Sequence, residues 1–230
     1  MMTDFAIVAE GFTDQVVIKN ILLGLFADSD EEPTINFEQP LLDTTSQHSA
    51  HNPGGWSLVF KYFELGKFKQ ALQLNRFLIV HIDTDVCEQP GYDVPCRVQG
   101  RELSPEELVQ RVVAKFRGMI GETIYAEHGH RFIFAVAVHS IECWLLPLIF
   151  QDSKKSKITG CLDAADHELR VQKRPRLRRG EGKDPEGYKA ASAGYRKRKF
   201  LLQHRDDNPS LTVFLRDLEQ RNITIPPPEL

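Results

Sequence analysis

No CxxC pair, no HExxH helix, no GxxxxGK[ST] loop, no internal repeat and no apolar run of membrane-spanning length occurs in these 230 residues. Each absence removes a class. Without paired cysteines a structural zinc site has no ligand framework, so Cys87, Cys96, Cys143 and Cys161, irregularly spaced, are expected to be reduced thiols. His48, His51, His128, His130 and His139 match no zinc-ligand spacing. Without a P-loop, any nucleotide-driven step has to come from another subunit. The stretch from Met1 to Glu10 has no basic region, and its apolar run is too short for a signal peptide. A cytosolic protein with no membrane partner is therefore the expectation.

What is present is a chain able to bury one sizeable core, with its charge unevenly divided. Residues 1–150 carry 11 Lys and Arg against 20 Asp and Glu, residues 151–205 carry 16 against 7, and residues 206–230 carry 2 against 5. An acidic body meeting a basic segment points to metal ions in the first and phosphates near the second; a solvated charged surface is the plainer alternative.

Phe5 to Ala9 is a short apolar run of the kind buried on both faces of a parallel sheet, and it ends on Glu10-Gly11. Thr13 is a candidate cap for a helix carrying Val17, Ile18, Ile21, Leu22 and Leu25, with Asp14 in its first turn. Residues 34–38 form a candidate second strand, followed by a polar loop from Ser46 to Gly55. Trp56 to Leu72 reads as an amphipathic helix interrupted near Gly66. Phe77 to Ile82 is the most strand-like segment and ends on Asp83-Thr84-Asp85. Ser104-Pro105-Glu106-Glu107 supplies an N-cap, a first-turn proline and a capping glutamate, predicting a helix over about 105–118. A strand over 132–138 is followed by Glu142, which serves either as a metal ligand or as a helix-dipole partner. Alternating strands and helices predict an α/β fold with a mostly parallel central sheet flanked by helices.

Past residue 150 the run from Lys173 to Lys183 is too poor in apolar residues for core and reads as a mobile or ligand-ordered loop. Helices from about 195 and about 209 return to the body. The expected organisation is a metal-binding domain over 1–150, with an insertion at about 40–75, and a basic helical extension over 151–230.

Ligands bind beyond the carboxyl ends of strands in open parallel sheets, and three strands here end on or just before acids: Glu10, then Asp83 and Asp85, then Glu142. Hard divalent ions take such oxygen donors. Residues two apart project to one side of an extended chain, so Asp83 and Asp85 are candidates to face one ion.

Val8-Ala9-Glu10-Gly11-Phe12-Thr13-Asp14 followed by Ile82-Asp83-Thr84-Asp85 resembles the TOPRIM signature, in which a glutamate follows the first strand and an Asp-x-Asp pair a later one. With Ile141-Glu142-Cys143-Trp144 and the basic Tyr195 to Lys199 segment, the chain is similar to small stand-alone TOPRIM proteins and to the overcoming-lysogenization-defect nucleases, often found in phage-defence settings. The resemblance implies a Rossmann-like TOPRIM fold and hydrolysis of DNA or RNA phosphodiesters with Mg²⁺ or Mn²⁺. It implies Glu10, Asp83 and Asp85 as ligands, helped by Glu142 and Asp14, with Lys197 or Lys199 stabilising charge on the scissile phosphate. Lys173, Arg174, Arg176, Arg178, Arg179, Lys183, Arg196 and Arg198 are the candidate salt-sensitive phosphate contacts. Tyr188 and Tyr195, among them, either stack on bases or simply pack. His139, just past a strand end, either orients a phosphate or is an interior histidine.

Partners on this reading are nucleic acid, an ATPase subunit that switches the protein on, or a second copy of the chain. The enzyme rival is a haloacid-dehalogenase-like phosphatase with Asp83 as nucleophile and Asp85 as general acid, which leaves Glu10-Gly11 without a role.

Overall fold

The computed structural model describes residues 2–41 and 55–227, so the expected loop from Ser46, with His48 and His51, lies outside the described residues up to residue 54. Four strands, β1 (Thr3–Val8), β2 (Ile35–Gln39), β3 (Asn75–Asp83) and β6 (Phe132–Ala137), form one sheet in the order β2-β1-β3-β6. Every pairing in it is parallel, with Ile7 opposite both Phe37 and Ile79, and Val80 opposite Phe134. The expected α/β class with a parallel sheet is what forms, a Rossmann-like arrangement with helices on both faces.

Strand alternation sorts the core into two layers. Phe5, Ile7, Ile79, Ile133 and Ala135 face one side, where α1 (Phe12–Leu25), α6 (Glu142–Leu145), α7 (Cys161–Val171), α8 (Pro185–Ser192), α9 (Arg198–Gln203) and α10 (Pro209–Gln220) contribute. Ala6, Val8, Leu78, Val80, Ile82, Phe132 and Phe134 face the other, beneath α2 (Trp56–Glu64), α3 (Phe68–Leu74) and α4 (Pro105–Ile120). The second layer is aromatic: Phe63 lies 5.3 Å from Phe68 and 5.0 Å from Phe116, centroid to centroid. A short helix α5 (Glu122–His128) leads into β6, and two small hairpins, β4–β5 (Arg97–Val98, Arg101–Glu102) and β7–β8 (Arg178–Arg179, Gly182–Lys183), project from loops.

Local signals explain the boundaries. The α2–α3 break falls where expected, at Gly66, whose φ of +66° is a left-handed conformation that stops a helix. Ser104 and Glu107 close a reciprocal capping box: the Ser104 hydroxyl accepts from the Glu107 N–H at 3.2 Å, and the Ser104 N–H donates to the Glu107 carboxylate at 2.8 Å. The cap of α1 differs from the expectation. Gly11, not Thr13, holds that position, because the Asp14 carboxylate folds back to accept the Gly11 N–H at 2.7 Å.

Residues 161–220 complete the first layer rather than hang from it. Gly24 of α1 lets the 193–196 turn come so close that a Cβ there would fall 1.7 Å from the Tyr195 carbonyl oxygen. Ring stacking of Trp144 on Phe214 at 5.4 Å, and the Trp144 indole N–H donating to Ser210 at 2.8 Å, fasten α10 to the body. The expected mobile run after Lys173 is pinned at its base, since the Asp166 carboxylate accepts from the Leu177 and Arg178 N–H groups and from the Arg176 guanidinium. A buried acid with that many donors organises a loop that apolar content alone would leave loose. No helix among the described residues is long and apolar enough to cross a membrane.

The expectation of four reduced thiols is corrected. Cys143 of α6 and Cys161 of α7 form a disulfide, while Cys87 and Cys96 are free. The pair joins two helices that only the tertiary fold brings together, which is why sequence spacing gave no hint of it. Alkylation of the denatured, unreduced protein is expected to add two labels by mass, rising to four after reduction; four labels before reduction would mean the bond does not form.

Candidate metal and phosphate site

The sheet order makes a crevice. From β1 the chain crosses to β2 on one side, while β3 and then β6 are laid down on the other, so the connections diverge beyond the carboxyl ends of β1 and β3. Glu10 lies two residues past β1 and Asp83 is the last residue of β3. They meet there: the Asp83 N–H donates to Glu10 Oε1 at 2.7 Å. Asp83 Oδ1 accepts the Ile141 N–H at 2.9 Å, which ties β3 to the segment entering α6. Tyr92, from the loop after β3, donates its hydroxyl to the Asp83 carbonyl at 2.9 Å. Asp14 comes from the first turn of α1, with the Thr13 hydroxyl 3.2 Å from its Oδ1.

Glu142, the first residue of α6 and 2% exposed, faces the same crevice. Its carboxylate accepts from the Tyr188 hydroxyl and pairs with Lys183 Nζ at 2.7 Å. Lys183 stands on the β7–β8 hairpin, whose foot is set by Gly187, where a Cβ would fall 1.7 Å from the Arg176 carbonyl oxygen.

This concentration of buried acids is electrostatically costly. Burial, together with the Asp14 and Asp85 charges, pushes Glu10 up to about 8 despite its hydrogen bond from Asp83. Burial likewise takes Asp14 to about 6, and burial with the charges of Glu10, Asp14 and Glu142 holds Asp83 well above the carboxylate range. Glu142 behaves oppositely: burial would raise it, but the Lys183 charge together with hydrogen bonds from Lys183, Tyr188 and Ser140 lowers it. Lys183 is the only Lys or Arg ion-paired to these acids among the described residues, one cation facing four carboxylates.

Asp85 is separated from this cluster by the buried Thr84 and is exposed. It lines a cavity of about 450 Å³ with Cys87, Glu88, Cys96 and His139, so the expectation that Asp83 and Asp85 turn to one side gives way to one buried acid and one at the rim. The chain turns immediately after Asp83, ending the alternation on which that expectation rested. His139 is half-buried at this cavity.

Lys197 and Lys199, the expected catalytic lysines, are exposed at the start of α9, and neither lies within ion-pairing distance of the acids. Among the expected phosphate contacts, Arg176, Arg178, Arg179 and Arg198 are paired with Asp166, Asp163, Asp184 and Asp28. Lys173, Arg174 and Arg196 have no ion pair among the described residues. Tyr188 and Tyr195 are fully buried and bonded to Glu142 and the Trp144 carbonyl, which rules out base stacking by either.

Comparison with protein-family models, with curated proteins and with solved structures finds no match to this chain. The site stands on its own chemistry.

Among the described residues no three His, Cys, Asp or Glu side chains converge closely enough to hold a metal ion as they stand. The donor chemistry nevertheless fits one. Asp14 and Asp83 are buried and Glu10 half-buried, each an oxygen donor held by a backbone N–H through one oxygen, and burial first and mutual repulsion second raise their pKa values, which a cation would relieve. Sequence reasoning passed over His81, two residues before Asp83 on the same face of β3. Its imidazole is fully buried, neither nitrogen has a hydrogen-bond partner, and burial pushes its pKa down to about 3. Period-two parity with Asp83 was the available signal.

Proposed function

We propose that this chain is a divalent-metal-dependent nuclease that hydrolyses DNA or RNA phosphodiester bonds, in keeping with its resemblance to TOPRIM proteins. One observation carries the reading: the Glu10 and Asp83 carboxylates meet, joined by a 2.7 Å bond, where the connections from β1 and β3 diverge, and Lys183 reaches the same crevice.

Glu10 and Asp83 would hold the Mg²⁺ or Mn²⁺, with Asp14 behind them and Asp85 at the solvent rim. A bound ion would supply water activation and offset charge on the phosphate. Lys183 takes the role expected of Lys197 or Lys199, placing an ammonium beside the phosphate as negative charge builds. Glu142 and Tyr188 orient that ammonium. Lys173, Arg174 and Arg196 give phosphate contacts that carry no base information.

The test is incubation of supercoiled plasmid, single-stranded DNA and total RNA with the protein and Mg²⁺ or Mn²⁺, beside EDTA controls and Asp85→Ala, whose exposed site removes folding as an explanation. Cutting that disappears with EDTA and falls at least about 100-fold in the variant is the expected result. Hydrolysis of a small phosphate ester with every polymer intact would favour the phosphatase. Cutting only after an ATPase partner is added would make the chain a regulated subunit.

A further inference from the structure

His81 sits between two carboxylates, its Nε2 3.4 Å from Asp83 Oδ1 and its Nδ1 3.8 Å from Asp14 Oδ2. A neutral imidazole has one N–H and one lone pair. It can donate toward only one of the two acids, so at its other nitrogen a lone pair faces the lone pairs of a carboxylate. Something positive belongs there, and it is either a proton or a metal ion.

The ring cannot turn away to solve the problem. It is 0% exposed and lies edge-on to Trp144 with centroids 6.2 Å apart. An unmet buried polar atom costs about 1–3 kcal/mol, and here both ring nitrogens lack partners. Two ligands of one ion at about 2.1 Å each, at right to tetrahedral angles, stand roughly 3.0–3.4 Å apart. The Nε2 to Oδ1 separation falls at the wide end of that range.

We infer that His81 Nε2 is a nitrogen ligand to the ion held by Asp83, so that the site selects nitrogen-accepting divalent ions such as Mn²⁺ over Mg²⁺. Nδ1 then carries the proton and points it at Asp14, which fixes the tautomer as a second carboxylate does for ligating histidines in general. Imidazole suits later transition ions, whereas Mg²⁺ prefers all-oxygen shells and gives up water reluctantly. The inference rests on the metal reading of the cluster and adds to it the ligand type and the choice of ion.

Pulsed electron paramagnetic resonance of the full chain with Mn²⁺ alone tests it. Echo modulation from a directly bound ¹⁴N is expected, replaced by a ¹⁵N coupling when the protein is grown on ¹⁵N-histidine. It should persist in His139→Ala, the other histidine near the acids, and vanish in His81→Gln. Calorimetry should give Mn²⁺ binding at least about tenfold tighter than Mg²⁺, with the preference shrinking about tenfold in His81→Gln. Should that variant fail to fold, labelled wild-type protein and His139→Ala decide the matter without it. Bound Mn²⁺ with no nitrogen coupling, or equal affinity for the two ions, overturns the inference and makes the missing positive charge a proton. Nitrogen coupling without cleavage of any polymer leaves His81 a ligand and overturns only the nuclease; cleavage without nitrogen coupling does the reverse.

Discussion

Asp83→Asn is expected to abolish nucleic-acid hydrolysis and yet to raise the unfolding midpoint of the metal-free protein at pH 8. The side chain is almost fully buried and is surrounded by Glu10, Asp14 and Glu142. Asparagine keeps an oxygen for the Ile141 N–H but removes a charge from a cluster that repels itself. The same repulsion sets the pH dependence. Glu10 titrates at about 8 against an ordinary 4.5, and Asp14 at about 6 against 3.8, so the folded state keeps protons that the unfolded chain has released. Stability from these groups is complete below their unfolded values and is lost as pH rises through about 6 and then about 8. Each retained proton costs about 1.4 kcal/mol per pH unit across its window. Glu142, Asp166 and Asp207, held low by cationic partners, lose stability only at the acid end, and His81, buried neutral with its pKa near 3, adds stability as pH rises to about 6.5, so pH 6.5 to 8 isolates Glu10. In EDTA the wild-type midpoint should fall between pH 6.5 and 8 and recover with Mn²⁺. The variant should fall less and sit about 1–2 kcal/mol higher at pH 8, roughly 2–8 °C for a chain of this size. A wild-type midpoint in EDTA that does not move between pH 6.5 and 8 would sink the account.

Lys183→Met should have the largest combined effect, on both rate and stability. It leaves Glu142, 2% exposed, with the Tyr188 and Ser140 hydroxyls and no cation. Breaking a buried ion pair costs about 3–5 kcal/mol, but the Lys183 side chain is 40% exposed and partly screened, so about 1–3 kcal/mol is expected. On the proposed reaction the lost ammonium should lower turnover about 10²- to 10³-fold, a larger drop than destabilisation accounts for when folding is verified at the assay temperature. Lys197→Met and Lys199→Met, on an exposed turn away from the acids, should retain full rate. The design separates a lysine chosen by geometry from two chosen by position in a basic run. Equal losses in all three variants would count against a special role for Lys183.

Much of this architecture is legible in the sequence because it rests on local rules. The apolar runs at Phe5 and Phe77, the capping box at Ser104 and the break at Gly66 each act within a few residues, and each element forms where that chemistry says it should. Strand ends also announce Glu10 and Asp83 as site candidates. What stays hidden depends on distance along the chain. A histidine inside an apolar strand looks like interior, and only its parity with Asp83 aims it at the acids. Nothing local marks Lys183 out from its basic neighbours; it is selected by a hairpin that Asp166 pins and that Gly187 allows to approach. Cys143 and Cys161 become partners only once α6 and α7 touch.

The seat of Trp144 has a consequence for the order of synthesis. It lies beside His81 on one side and is closed on the other by Phe214 and Ser210, residues made some 70 positions later than the indole they cover. A ribosome-bound chain that has emerged only as far as α9 already contains every acid of the crevice but cannot yet seal the wall behind them. The acids are translated early and assembled late, so an unfinished chain carries the ligands without the organised pocket.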